Sequence, residues 1–195
     1  MMISENQAFS AVKRSLKQRR FEHTERVTET AEQLARKYGG DVKKARLAAI
    51  LHDYAKYRPV EEMRETLRSV KTPHSLLEYG DEILHAFAGA CYVKVELEVT
   101  DEEILAAIRY HTTGRASMTL LEKIVFLADY IEPGRTFPGV ETVRQAAETS
   151  LDNACFLALK NTIAFLISKG QPVYPEAFEA YNDFSIKKKI KGGNR

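Results

Sequence analysis

Apolar residues in this chain return every three or four positions almost from end to end, and its prolines fall where that rhythm breaks. Such a period lines up side chains on one face of a helix and offers little to a strand, whose faces alternate every second residue. The run Val27, Ala31, Leu34, Ala35, Tyr38 stops at Gly39-Gly40; Asp41 then opens a run with Ala45, Ala48, Ala49 and His52 along its face. Glycine suits a helix stop because it enters the left-handed region without strain. Aspartate suits a start because its carboxylate accepts from free backbone N–H groups. Ser4 with Gln7, Thr100 with Glu103 and Thr119 with Glu122 have the spacing of capping boxes. Pro59, Pro73, Pro138, Pro172 and Pro175 lie between periodic segments and Pro133 ends one, as a residue without an N–H donor does. YVKVELEV at 92–99 alternates like a strand, but its place at the end of a helical run favours helix. The expectation is an all-α fold.

Length and content set looser bounds. With 195 residues, 44% of them hydrophobic, one domain with a full core is expected. The net charge of +2 is misleading, because Lys187 to Arg195 hold five basic groups and no acid. Without them 24 basic face 27 acidic residues, a body at −3. The domain is therefore drawn over 1–186, with 187–195 a basic, disordered, solvated tail and no specific nucleic-acid surface. Cys91 and Cys155 each sit in an apolar helical stretch and read as reduced core residues of a cytoplasmic protein. The N-terminal residues lack the apolar run of a signal peptide, and no 18 uninterrupted apolar residues occur, so no membrane span is expected. Neither a Walker nor a Rossmann glycine pattern is present, which turns the reading away from kinase and dehydrogenase chemistry.

Chemistry concentrates in His23, His52-Asp53, His85, His111 and Asp129. His23 shares the inward face of Val27 and Ala31. His52-Asp53 ends the apolar run RLAAIL, Asp129 follows IVFLA, His85 lies in EILHAFAGA and His111 closes EILAAIRYH. Singly, each has a plain structural explanation. A lone histidine on an apolar face is usually a satisfied core residue, and Asp129 has Arg109 or Arg135 as candidate partners. His74, after Pro73, reads as an ordinary loop histidine. The ensemble points elsewhere: four of the five histidines and an aspartate in apolar helical settings, where a lone carboxylate is expensive without a cation. Imidazole with carboxylate and no cysteine cluster suits a catalytic iron, manganese, zinc or magnesium centre and not a thiolate structural zinc.

The order His, His-Asp, Asp resembles the HD-domain phosphohydrolase superfamily. The segments LHDYAK, ILHAFAGA, AIRYHTTG and FLADYIEPGRTFPGV are similar to its YqeK-type members, assigned as symmetrical bis(5'-nucleosyl)-tetraphosphatases. The likeness runs from about Arg20 to Pro175, and its most specific part is D-Y-I-E-P-x-R. It implies a single-domain helical bundle with a metal site between helices. It further implies that His23, His52, Asp53 and Asp129 bind metal, iron in that family, as one or two ions. His85 and His111 then complete a second ion site or contact phosphate. Arg20 and Arg135 fall near the polyphosphate, and Gly170, Gln171, Pro172, Val173, Tyr174 and Pro175 near ribose or base. The implied reaction is hydrolysis of diadenosine tetraphosphate to two ADP, with Asp53 orienting the nucleophile as well as binding metal. Lys56 lies one turn past His52 if the helix continues, which brings its ammonium to the same cleft; the alternative is a solvated lysine at a helix end. An HD nucleotidase or phosphodiesterase acting on another nucleotide uses the same ligands, and a nucleotide-binding regulator without turnover is the reading from another class. A homodimer is left open, with 92–99 as its candidate contact.

Overall fold

The computed structural model describes residues 3–70 and 74–192, apart from the side chains of 74, 75 and 189–192. Pro73, the side chain of His74 and the last three residues lie outside it. The helices are α1 (Glu5–Ser15), α2 (Gln18–Tyr38), α3 (Val42–Leu51), α4 (Val60–Ser69), α5 (Leu84–Glu96), α6 (Glu102–Tyr110), α7 (Leu120–Ile131), α8 (Val140–Ala147), α9 (Leu151–Ser168) and α10 (Pro175–Gly192). Two 3-10 turns, His74–Glu78 and Asp81–Ile83, precede α5, and no strand occurs among the described residues. The all-α expectation holds.

Local chemistry sets most helix ends. The boxes Ser4–Gln7 and Thr119–Glu122 form reciprocally at α1 and α7. At α6 the expected Thr100 box is replaced by Asp101, whose carboxylate accepts from the N–H groups of Glu103 and Ile104. One anion there satisfies two free donors and faces the positive end of the helix dipole. Gly39, at φ 72, ends α2, and Asp41 caps α3. The strand-like segment 92–99 is helical to Glu96 and then turns through Glu98, at φ 55.

α3 is the hub, packed against α1, α2, α6 and α7, with Leu47 through Leu51 all buried. Alanines on the facing sides (Ala31 and Ala35 of α2, Ala45, Ala48 and Ala49 of α3) allow close helix approach. Full burial of Ile50, Leu51, Ile124 and Leu127 contributes about 1.5–3 kcal/mol each. The helices that carry the clustered histidines are therefore anchored by the core itself.

Two features of the C-terminal side add to the sequence expectations. α9 does have the length and composition of a membrane span despite Asp152 and Lys160 within it; here it packs on α7, α8 and α10, with Ala154, Ala158 and Leu159 buried. α10 passes Lys187 without a break and ends at Gly192, so the expected start of a disordered tail falls inside a helix. Lys187 pairs with Asp183 one turn back, and Lys188 donates to Asn153 of α9, which gives the basic run local partners. Both cysteines are free; Cys155 is buried and Cys91 only half-buried.

A buried histidine–aspartate cluster as candidate metal centre

The six residues singled out by the sequence meet at one place. α2 presents His23 one turn in from its start, and α7 presents Asp129 from its last turn. His52 and His111 are the residues at which α3 and α6 end, so their rings project past the helices; Asp53 follows in the turn, and His85 opens α5. His23 Nε2 lies 3.0 Å from Asp129 Oδ1 and 3.8 Å from Asp53 Oδ2. His52 Nε2 lies 3.2 Å from Asp53 Oδ2 and 4.0 Å from Asp129 Oδ1. On the other side of Asp53, Oδ1 is 3.1 Å from His85 Nε2 and 4.0 Å from His111 Nε2. All four histidines and Asp53 are buried.

Every imidazole points Nε2 inward because Nδ1 is already engaged. His52, His85 and His111 each hydrogen-bond the backbone carbonyl three residues earlier, at Ala49, Glu82 and Ile108. His23 Nδ1 lies 3.0 Å from Glu132 Oε1. Fixing one ring nitrogen as the donor leaves the other with its lone pair, as a metal ligand requires.

The electrostatics suit a cation. Burial alone would raise both aspartic acids, but attraction to His52 and contact with His85 hold Asp53 well below the usual carboxylate range. Contact with His23 and the Arg135 charge do the same for Asp129. Burial works to lower His52, yet Asp53 outweighs it and raises the imidazole. His111 is pushed down to about 3, first by burial and then by His52 and His85, which makes it a neutral imidazole.

The donor set fits a metal ion. His23 Nε2 and His52 Nε2 are buried and have no aligned hydrogen-bond partner, although carboxylate oxygens stand at 3.0 and 3.2 Å. Nitrogen and oxygen atoms that close yet aimed past one another are the arrangement of co-ligands; neighbours 2.1 Å from one octahedral ion lie about 3 Å apart. The ligand atoms of His23, His52 and Asp129 lie within 4.8 Å of one another, as do those of His52, Asp53 and His111.

The cations expected near the site are there. Arg20 Nη1 is 2.9 Å from Asp53 Oδ2, and Arg135 Nη2 is 2.6 Å from Asp129 Oδ1. Arg109, the other candidate partner of Asp129, faces a different cavity beside Cys91 and Glu176. α3 does not continue to Lys56; a turn instead carries the ammonium to 3.4 Å from His85 Nδ1 and 3.5 Å from Glu82 Oε2. Of the 170–175 segment, Gln171, Pro172 and Tyr174 line a cavity of about 340 Å³, and Gly170, Val173 and Pro175 fall outside its wall. That cavity is apolar on Ile83, Phe126 and Ile163, and it flanks the cluster through Glu82 and Thr112. Sequence reasoning passed over its wall residues Tyr79 and Thr113, and Glu132 with its partners Arg26 and Arg144. Glu132 had a signal, since it stands three residues after Asp129 in the quoted D-Y-I-E-P segment; Arg26 and Arg144 had none.

The HD domain family model matches residues 20–134, a span that holds the whole cluster. A protein of Halalkalibacterium halodurans named "Bis(5'-nucleosyl)-tetraphosphatase, symmetrical" is 51% identical over 96% of this chain and 100% of its own length. The chain belongs to this family of HD-domain proteins. A Staphylococcus aureus protein of the same name is 44% identical to this HD-domain chain, over 89% of it and 90% of the relative. A crystal structure from Clostridium acetobutylicum, described as a predicted HD superfamily hydrolase involved in NAD metabolism, superposes with a TM-score of 0.91. It is 37% identical and covers 96% of this chain and 100% of that one.

Proposed function

We propose that this HD-domain protein hydrolyses diadenosine tetraphosphate symmetrically, with His23, His52, Asp53 and Asp129 holding a divalent metal ion. The observation that carries the reading is near-full-length identity to relatives bearing that activity in their name, around a buried cluster of unpaired imidazole nitrogens. A metal ion held there supplies a water nucleophile near neutral pH and polarises a phosphoryl oxygen. Iron is the identity we propose, with manganese, zinc and magnesium compatible with the same donors.

The residues divide the remaining work by position. Asp53 stands between two groups of imidazoles, Oδ2 toward His23 and His52 and Oδ1 toward His85 and His111, so it orients what enters between them. Arg20 and Arg135 neutralise the polyphosphate and relinquish carboxylates to do so, with Lys56 at the His85 edge. His85 and His111, their Nε2 atoms 3.2 Å apart, hold a second ion when both nitrogens keep their lone pairs, and a phosphate oxygen only if one of the two carries a proton. Water adds to one of the two inner phosphorus atoms, and the oxygen bridging them leaves with the other half, giving two ADP. The 340 Å³ cavity takes a nucleoside, with Tyr174 set edge-on between Tyr79 and Phe87 as a stiff wall. The free cysteines support a cytoplasmic setting, and exposed Val95 on the 92–99 segment is where a homodimer contact is first sought.

Incubation with diadenosine tetraphosphate and chromatography of the nucleotides tests the reaction. Two ADP per substrate are expected; ATP with AMP contradicts the symmetric cut, and activity only on other nucleotides moves the assignment to another HD nucleotidase. The cavity has its own test in Ile163→Trp, which fills buried space in its wall. KM is expected to rise about tenfold, equivalent to ~1.4 kcal/mol, with metal content unchanged. An unchanged KM places the nucleoside elsewhere.

A further inference from the structure

Three of the four clustered histidines engage Nδ1 with a backbone carbonyl, and His23 alone uses a carboxylate, Glu132. We propose that Glu132 is the positioning residue of the metal centre, acting through His23, and that Arg26, Gly134 and Arg144 hold it in place. The inference rests on the metal-centre reading and goes beyond it by naming what tunes one ligand. A carboxylate facing Nδ1–H fixes the tautomer more firmly than a carbonyl does and makes the opposite nitrogen a stronger donor. That opposite nitrogen is the buried, unpaired Nε2 beside Asp129.

The support around Glu132 is complete. Its side chain is 2% exposed, and its second oxygen accepts from Arg26 Nε at 2.6 Å and from the Gly134 N–H at 2.6 Å. Arg144 of α8 ties down the backbone of the same turn, donating to the carbonyls of Ile131, Glu132 and Arg135 at 2.8–2.9 Å. Gly134 is explained by space. It is not among the residues with positive φ, so its backbone does not call for glycine, but a Cβ there would fall 2.6–2.9 Å from the Arg26 guanidinium. Glycine is the residue that lets Arg26 close on Glu132.

The test compares full-length wild type, Glu132→Gln and Gly134→Ala. In Glu132→Gln the amide NH2 must face either His23 or the Arg26 and Gly134 donors, so one donor always meets another. In Gly134→Ala the methyl group displaces Arg26 and leaves Glu132, still present, free to turn away from His23. Manganese affinity of the metal-free proteins is read by chelator competition, and the His23 tautomer by nitrogen-15 NMR. Both variants are expected to lose roughly tenfold to a hundredfold in manganese affinity, with His23 leaving the single Nδ1–H tautomer in Glu132→Gln. Wild-type affinity and tautomer in the variants, with only thermal stability lowered, would make Glu132 a structural anchor and overturn the proposal. Should Glu132→Gln not fold, Gly134→Ala decides alone on affinity. A wild type that binds no manganese, iron or zinc removes the metal-centre reading itself, an outcome distinct from variants that match a tightly binding wild type.

Discussion

Asp53→Ala is expected to lower diadenosine tetraphosphate hydrolysis by about a thousandfold or more and to remove tight metal binding, while the fold persists. Among the described residues Asp53 is the one side chain whose two oxygens reach both groups of imidazoles, at 3.2 Å from His52 on one side and 3.1 Å from His85 on the other. Removing it takes away the carboxylate beside His23 and His52 and detaches His85 and His111 from them at once. The stability cost is contained because the groups it leaves behind have an escape. The imidazoles keep their Nδ1 partners, and Arg20, a quarter exposed, can turn to solvent. Activity, metal content and circular dichroism on one preparation check this together. Retention of a tenth of wild-type activity with full metal content would show that the reacting phosphorus is served from elsewhere.

The second large effect is on stability. Loading the metal-free protein with its divalent ion at a hundred times Kd is expected to raise the melting temperature by roughly 5–10 °C. That figure follows from about 2.7 kcal/mol of linkage and the ~2–4 °C per kcal/mol typical of a chain this size. The sign is set by the cluster: the folded chain gathers His23, the His52-Asp53 pair and Asp129, whereas in the unfolded chain these three points lie far apart. His52→Ala is expected to cancel most of the shift, since His52 belongs to both candidate ligand groups. A melting curve indifferent to metal, on protein verified metal-free beforehand, would sink the assignment.

Helices and their ends were legible because they obey local rules. The capping boxes at Ser4 and Thr119, the glycine stop at Gly39 and the aspartate start at Asp41 need only neighbours within four residues. Where two local signals stood side by side, as at Thr100 and Asp101, spacing alone chose the weaker one; the carboxylate won because it satisfies two donors and carries charge. The basic run from Lys187 shows what composition leaves open, since it is helical as far as Gly192. Composition marks lysines as solvated, but a helix surface is solvated too, and contacts with Asp183 and Asn153 are compatible with helix.

The site divides along the same line. Residue type and periodicity identified the four histidines, Asp53 and Asp129, because an imidazole or carboxylate on an apolar helix face needs a reason to be there. Sequence by itself determined the helical class, most helix ends, the residues of the histidine–aspartate cluster and, through the D-Y-I-E-P-x-R likeness, the family. That Glu132 holds His23 Nδ1, that Asp53 stands between two groups of imidazoles, that Gln171 and Tyr174 but not Gly170 line the cavity, and that Arg26 and Arg144 brace Glu132 were decided only by tertiary structure. The reason is physical. A residue's type and its place on a helix face are local, whereas its partners depend on how helices far apart in the chain cross, and α3 fixes that through the burial of Leu47 to Leu51.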